Sequence, residues 1–218
     1  MASHASWGSH ERYPRLLLAL LTALSLALAV APYDRADWLL ENALLFAGVG
    51  VLVATRKALP LSRLSYTLVF VFMCLHAVGA HYTYSLVPYD DWFRAVTGRT
   101  LSSLTGAERN HYDRLVHFCF GLLAIGPVRE IARRHLGLSS RAAAYIAPEF
   151  VLAFSACYEI FEWTLAVTMS PADAEAYNGQ QGDPFDSQKD MTMAALGAIV
   201  GTMLFYLRGR FIAGRSRQ

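Results

Sequence analysis

Ionisable side chains inside bilayer-length apolar stretches are expensive, and this chain gathers a set of them near one end of those stretches. His76 and His81 close one apolar segment, and Asp113 and His117 open the next. Glu159 and Glu162 close another, Asp186 and Asp190 lead into the last, and Glu41 and Asn42 stand near the start of the second. Residues of this kind usually face the protein interior and mark a site. Helical spacing sorts them. Asp113 and His117 are four apart, Glu159 and Glu162 three apart, and Asp186 and Asp190 four apart, so each pair shares one helix face. His117 and Glu159 lie about a turn or more inside their stretches and are the hardest to read as purely structural.

Mixed imidazole and carboxylate donors are what a hydrolytic metal site uses. A divalent ion such as zinc binds both at roughly 2 Å and keeps a position open for water, whose pKa it lowers toward neutrality. On this reading His117, Glu159 and Asp190 are the ligands, Glu162 is the general base, and Asp113 orients His117 from behind. His76, His81, Asp186 and Glu41 are further candidates. Without a metal, closely spaced carboxylates can share a proton and act as general acid and base. Plainer roles compete for several of these residues. Asp113 suits the positive end of a helix dipole, and Asp183 and Asp186 suit helix caps. Glu41 suits a helix end, and His81 with Tyr82 suits the membrane interface. No HExxH-type pattern singles out one metal.

The elements that must position these groups are membrane helices. Of 218 residues, 55% are hydrophobic and 17% charged, against about 25% charged in soluble domains. Spanning a core of about 30 Å takes roughly 20 mostly apolar residues, and six stretches qualify: 15–32, 38–56, 64–82, 112–131, 144–168 and 189–207. The predicted fold is an all-α bundle of six transmembrane helices forming a single domain over residues 1–218. Loop charges alternate. Arg56, Lys57 and Arg63 follow the second span, Arg129, Arg133, Arg134 and Arg141 the fourth, and Arg208, Arg210, Arg215 and Arg217 the sixth. The first loop carries Asp34, Arg35 and Asp37, and the fifth Asp173, Glu175, Asp183 and Asp186 before Lys189. Basic loops stay in the cytoplasm, so both termini are expected inside and the polar set at the outer leaflet. The basic loops are topological and imply no nucleic-acid partner. The first run ends in small residues, Ala27 to Ala31, as a cleaved signal peptide does, but a retained helix keeps the charge alternation intact.

The connection 83–111 is long and aromatic at its start, which predicts a short interfacial helix around 90–96 capping the polar groups. Asp183 and Pro184 predict the start of the last helix. Gly197 and Gly201, four apart, predict close approach of a neighbouring helix. Cys74, Cys119 and Cys157 are dispersed in apolar helices and form neither a disulfide framework nor a CxxC site.

Four motifs carry a family resemblance: His76-Ala-Val-Gly-Ala-His-Tyr-Thr-Tyr84, Asn110-His-Tyr-Asp-Arg-Leu-Val-His-Phe118, Tyr158-Glu-Ile-Phe-Glu-Trp163 and Gly182-Asp-Pro-Phe-Asp-Ser-Gln-Lys-Asp-Met191. Together they resemble the YjdF-like proteins of the bacterial inner membrane, from about Trp38 to Gly201. That resemblance implies the compartment and a shared polar core, without a reaction. A weaker likeness is to the VanZ-like membrane proteins, through Asp113-Arg-Leu-Val-His-Phe118, Glu159 and the Asp186, Asp190, Gly197 series. Glu162 stands where that family often has Gln, and the long aromatic loop is an addition.

The expected function is a metal-assisted hydrolase or transferase acting at the outer leaflet on a lipid or lipid-linked substrate. The same residues would serve a non-enzymatic binder or transporter of a cation, proton or small molecule, or the hydrogen-bonded core of a structural envelope protein. Transport predicts polar groups continuing through the cytoplasmic halves of the spans, and these are mostly Leu, Ala, Val and Phe.

Overall fold

The computed structural model describes residues 7–168 and 180–215, and its regular structure there is entirely helical. Long helices are α1 (Trp7–Leu28), α2 (Arg35–Thr55), α3 (Arg63–His81), α6 (Tyr112–Arg134), α7 (Ser140–Thr168) and α8 (Asp186–Arg215). The short α4 (Tyr89–Thr97) and α5 (Leu101–Thr105) lie in the long connection before α6. Asp173, Glu175 and Arg217 lie outside the described residues.

Five helices are long and apolar enough to cross a membrane: α2, α3, α6, α7 and Asp186–Arg210 of α8. The first, α1, falls short of that standard. It is 22 residues long, but Glu11, Arg12 and Arg15 occupy its first half and it stops at Leu28, before the end of the apolar run. The other helices begin or end a few residues beyond their apolar stretches because polar caps extend them. Asp34 accepts from the amides of Ala36 and Asp37 to start α2, and Ser62 accepts from that of Ser65 to start α3. Helix α4 ends at Gly98, whose φ of 76° is the left-handed cap a glycine takes most easily. The last helix starts at Asp186 rather than at Pro184. Asp183 instead accepts from the amide of Phe185 in a local turn, and its carboxylate is also held by Arg114 and Lys189.

Helix α6 is the hub. It packs most closely on α8 and also on α7 and α3, while α1 and α2 each pack on α3. Lipid tails are as apolar as leucine, so close packing rather than water exclusion holds such helices together. A glycine seam provides it. A Cβ on Gly121 of α6 would stand 2.0 Å from the Ala194 carbonyl oxygen, and one on Gly197 of α8 would stand 2.0 Å from that of Phe118. One or two turns below the polar set, Ile125, Ala147, Val151, Ala194 and Ala198 form a core that is at most 1% exposed.

Candidate metal centre

Asp113 and His117 rise from the first two turns of α6, Glu159 and Glu162 from the C-terminal third of α7, and Asp186 and Asp190 from the first two turns of α8. The glycine seam brings the first and third of these helices together, so the α6 and α8 residues meet. Ligand atoms of Asp113, His117 and Asp190 all lie within 4.8 Å of one another. His117 Nε2 is 3.5 Å from an oxygen of Asp113 and 3.6 Å from Oε1 of Glu159. Asp113 therefore approaches the same ring nitrogen as Glu159. His117, Glu159 and Asp190 are 8%, 4% and 3% exposed. Among the described residues, Oε1 of Glu159 and Oδ1 of Asp190 are buried without a hydrogen-bond partner, an arrangement that costs free energy unless something else meets them.

The other sequence-flagged residues surround this centre in different roles. Glu41 and Glu162 belong to the same electrostatic cluster, each within reach of the Asp113 charge. Tyr158 links the sides, its hydroxyl donating to Glu41 at 3.5 Å and its ring meeting the His117 ring edge-on with centroids 5.9 Å apart. His76 has both nitrogens engaged: Nε2–H donates to the Glu41 carbonyl at 3.1 Å, and Nδ1 accepts from the Tyr84 hydroxyl. A carbonyl can only accept, which fixes the neutral tautomer. Burial, followed by the nearby Glu41 and Asp113 carboxylates, raises the Tyr84 phenol well above its ordinary value, so it stays a donor. His81 lies outside the cluster, donating from Nδ1 to the Leu28 carbonyl at 2.7 Å and tying the end of α1 to α3.

Asp186 is paired. Arg109 donates to it at 2.7 Å and Arg114 at 3.1 Å, and Arg114 also reaches Asp183 at 2.6 Å. Lys189 completes the network by bonding Asp183 at 2.6 Å, and that bond is the largest influence holding the Asp183 carboxyl down to about 2. His111 beside this network is lowered by burial and then by Arg114 and Arg109. The Nε–H of Arg114 is buried and has no acceptor among the described residues.

Sequence reasoning missed Tyr84, Tyr158, Arg109 and Arg114 as parts of the site. Tyr84 is placed by two successive left-handed residues, Thr83 (φ 49°) and Tyr84 itself (φ 53°), which fold its ring back onto Gly79. A Cβ on Gly79 would stand 2.6 Å from that ring. The available signal was the run Gly79-Ala-His-Tyr-Thr-Tyr84, where a small residue precedes an aromatic cluster.

Comparisons with known proteins agree with this picture of a membrane bundle. The family model described as "Predicted membrane protein (DUF2238)" matches residues 13–210. The "Inner membrane protein YjdF" of Escherichia coli (strain K12) is 35% identical over 189 residues, covering 86% of this chain and 86% of that protein. No solved structure matches the chain. The likeness to VanZ-like proteins finds no support in these matches. With five apolar helices, the chain is an inner-membrane protein, and it belongs to the DUF2238 family of predicted membrane proteins.

Proposed function

We propose that this chain is a membrane-embedded, metal-dependent hydrolase or transferase acting on a lipid or lipid-linked substrate at the outer leaflet. One observation carries the reading. His117 Nε2 stands 3.5 and 3.6 Å from two carboxylate oxygens, farther than the about 2.7–3.2 Å of an ordinary N–H···O hydrogen bond. Ligands about 2.1 Å from an ion at the corners of a tetrahedron stand about 3.4 Å apart. Asp113, His117 and Asp190 supply three ligand atoms within 4.8 Å of one another, and Glu159 offers a fourth donor with an oxygen unpartnered among the described residues. A divalent ion such as zinc there would activate water. Glu162, within the same acidic cluster, is the base that would take the proton. Above the centre, the buried Nε–H of Arg114 offers a donor to an anionic headgroup.

The membrane arrangement proposed with it has six spans, α1 included, and both termini in the cytoplasm. Its support is the alternating loop charge and the packing of α1 along α3. A transporter using the same acids would need a polar path beyond them, and the apolar core around Ile125 and Val151 stands below the centre.

The test is elemental analysis of the purified full-length protein, wild type and the His117→Ala and Asp190→Asn variants. Roughly one divalent ion per chain, lost from both variants while the helical signal persists, is expected. Metal-free wild type whose variants fail to accumulate would identify a hydrogen-bonded structural core instead, because removing one buried partner leaves the others unpaired.

A further inference from the structure

The opposite end of the bundle holds a second feature, unrelated to the acidic centre. Helices α1 and α2 both pack on α3 but make no extensive contact with each other. The space between them is a groove of about 1020 Å³, at the upper end of the roughly 300–1,000 Å³ of small-molecule sites. Its body is apolar, with Leu21 of α1, Val53 of α2, and Phe70 and Met73 of α3 among its lining. Its mouth is basic. Arg15, Arg56, Lys57, Arg63 and Arg134 all line it, against Glu11 alone.

Not all of those cations are neutralised. Arg15 pairs with Glu11 and Arg134 with Glu130. Arg56 donates to the Val53 carbonyl of its own helix at 2.6 Å. Arg63 lies over the Tyr13 ring at 5.6 Å, and Lys57 has no partner among the described residues. Three cations without a carboxylate thus stand at the edge of an apolar slot. The wall formed by α1 is fixed, since Tyr13 hydrogen-bonds Thr67 of α3 at 2.6 Å and His81 holds the far end at Leu28.

We infer that this groove is a binding site for an anionic phospholipid, whose acyl chain lies between α1 and α2 and whose phosphate is held by Arg56, Lys57 and Arg63. Every apolar face of a membrane protein touches lipid. Here the concavity provides a place for one chain, and the unpaired charge selects its headgroup. Basic pockets between transmembrane helices on the cytoplasmic side bind anionic headgroups in this way. The leaflet rests on the proposed topology, whereas the site rests on the groove alone, and neither depends on the metal centre.

Lipid binding to the purified full-length protein is measured by native mass spectrometry. Phosphatidylglycerol and phosphatidylcholine of identical chains are titrated, with glycerol phosphate as competitor. Each basic residue near a lipid surface contributes about a factor of five, so the anionic lipid is expected to bind on the order of 100-fold tighter. That preference should vanish in Arg56→Gln/Lys57→Gln/Arg63→Gln. Val53→Trp, which fills the slot and keeps the charges, should weaken binding of both lipids. Equal affinity of the wild type for the two lipids overturns the inference, and needs no variant to do so. Displacement of phosphatidylglycerol by glycerol phosphate overturns it equally, because the headgroup alone would then be the ligand.

Discussion

Replacing Gly197 by alanine tests whether the glycine seam sets the geometry of the acidic centre. The added Cβ would stand 2.0 Å from the Phe118 carbonyl oxygen and 2.8 Å from the Leu122 amide nitrogen, and both are backbone atoms that no rotamer change can move away. Ordinary contact begins at 3.4 Å, so α8 must retreat from α6 by roughly 1.4 Å at that level. Asp190 lies two turns from Gly197 on the same helix, and His117 precedes Phe118 on the other. A retreat of this size therefore reaches the ligand atoms. Overpacking costs about 1–3 kcal/mol when side chains can adjust, and this contact should stand at the top of that range. Thermal unfolding in detergent and metal content are measured together, with Gly50→Ala as control. Gly50 is exposed in α2 and a Cβ there meets nothing within 4 Å, so alanine should be neutral or stabilise by up to about 1 kcal/mol. A Gly197→Ala protein as stable as wild type with full metal content would refute the link between seam and site.

Tyr84→Phe should cost about 1–3 kcal/mol by leaving Nδ1 of buried His76 unpaired. In a double-mutant cycle with His76→Phe the two losses should fall short of additive by at least about 0.5 kcal/mol. Acid sensitivity should report Asp183. Its folded pKa of about 2 lies below the ordinary aspartate value of 3.8, so its stabilising contribution is complete above about pH 4 and is lost as pH falls toward 2. Asp183→Asn should flatten that part of an acid-unfolding profile. Single cysteines in a thiol-free background test the topology: one at Arg133 should be shielded from an impermeant reagent in intact cells and one at Gln180 should react, and the reverse pattern would place the acidic centre on the cytoplasmic side.

The spans were legible because bilayer-length apolar runs have few other uses, and their polar ends marked the caps within a few residues. The amphipathic Tyr89–Thr97 helix was legible for a related reason, since Tyr89, Trp92 and Phe93 stand there beside Asp90 and Asp91 as an interface demands. Asp113, His117, Glu159 and Asp190 stood out because a buried charge is an anomaly in any apolar stretch. His76 stood out equally, yet its two partners, Tyr84 and the Glu41 carbonyl, are reached through a tight left-handed turn and through tertiary packing with α2. Spacing along one helix carries no trace of either. Arg109 and Arg114 escaped because cations near a helix end read as ordinary charge, and only the approach of α8 to α6 shows that they close over Asp183 and Asp186. Gly197 was expected to pack closely, but its counterpart Gly121 has no partner at the spacing of four that would have flagged it.

The division of packing between α3 and α6 bears on how the protein is made. Chains emerge N-terminus first, and α1 and α2 find their partner in α3, so the first three helices can settle while the rest is still being synthesised. Asp113, His117, Glu159 and Asp190 come from α6, α7 and α8, and α8 is the last to arrive. Until it docks on the glycine seam, Asp113 and Glu159 face the place it will occupy. A polar surface within the bilayer is costly, so a nascent or truncated chain displays carboxylates that the finished bundle hides. A chain that stops before α8 therefore leaves open a carboxylate-bearing face that docking of α8 closes.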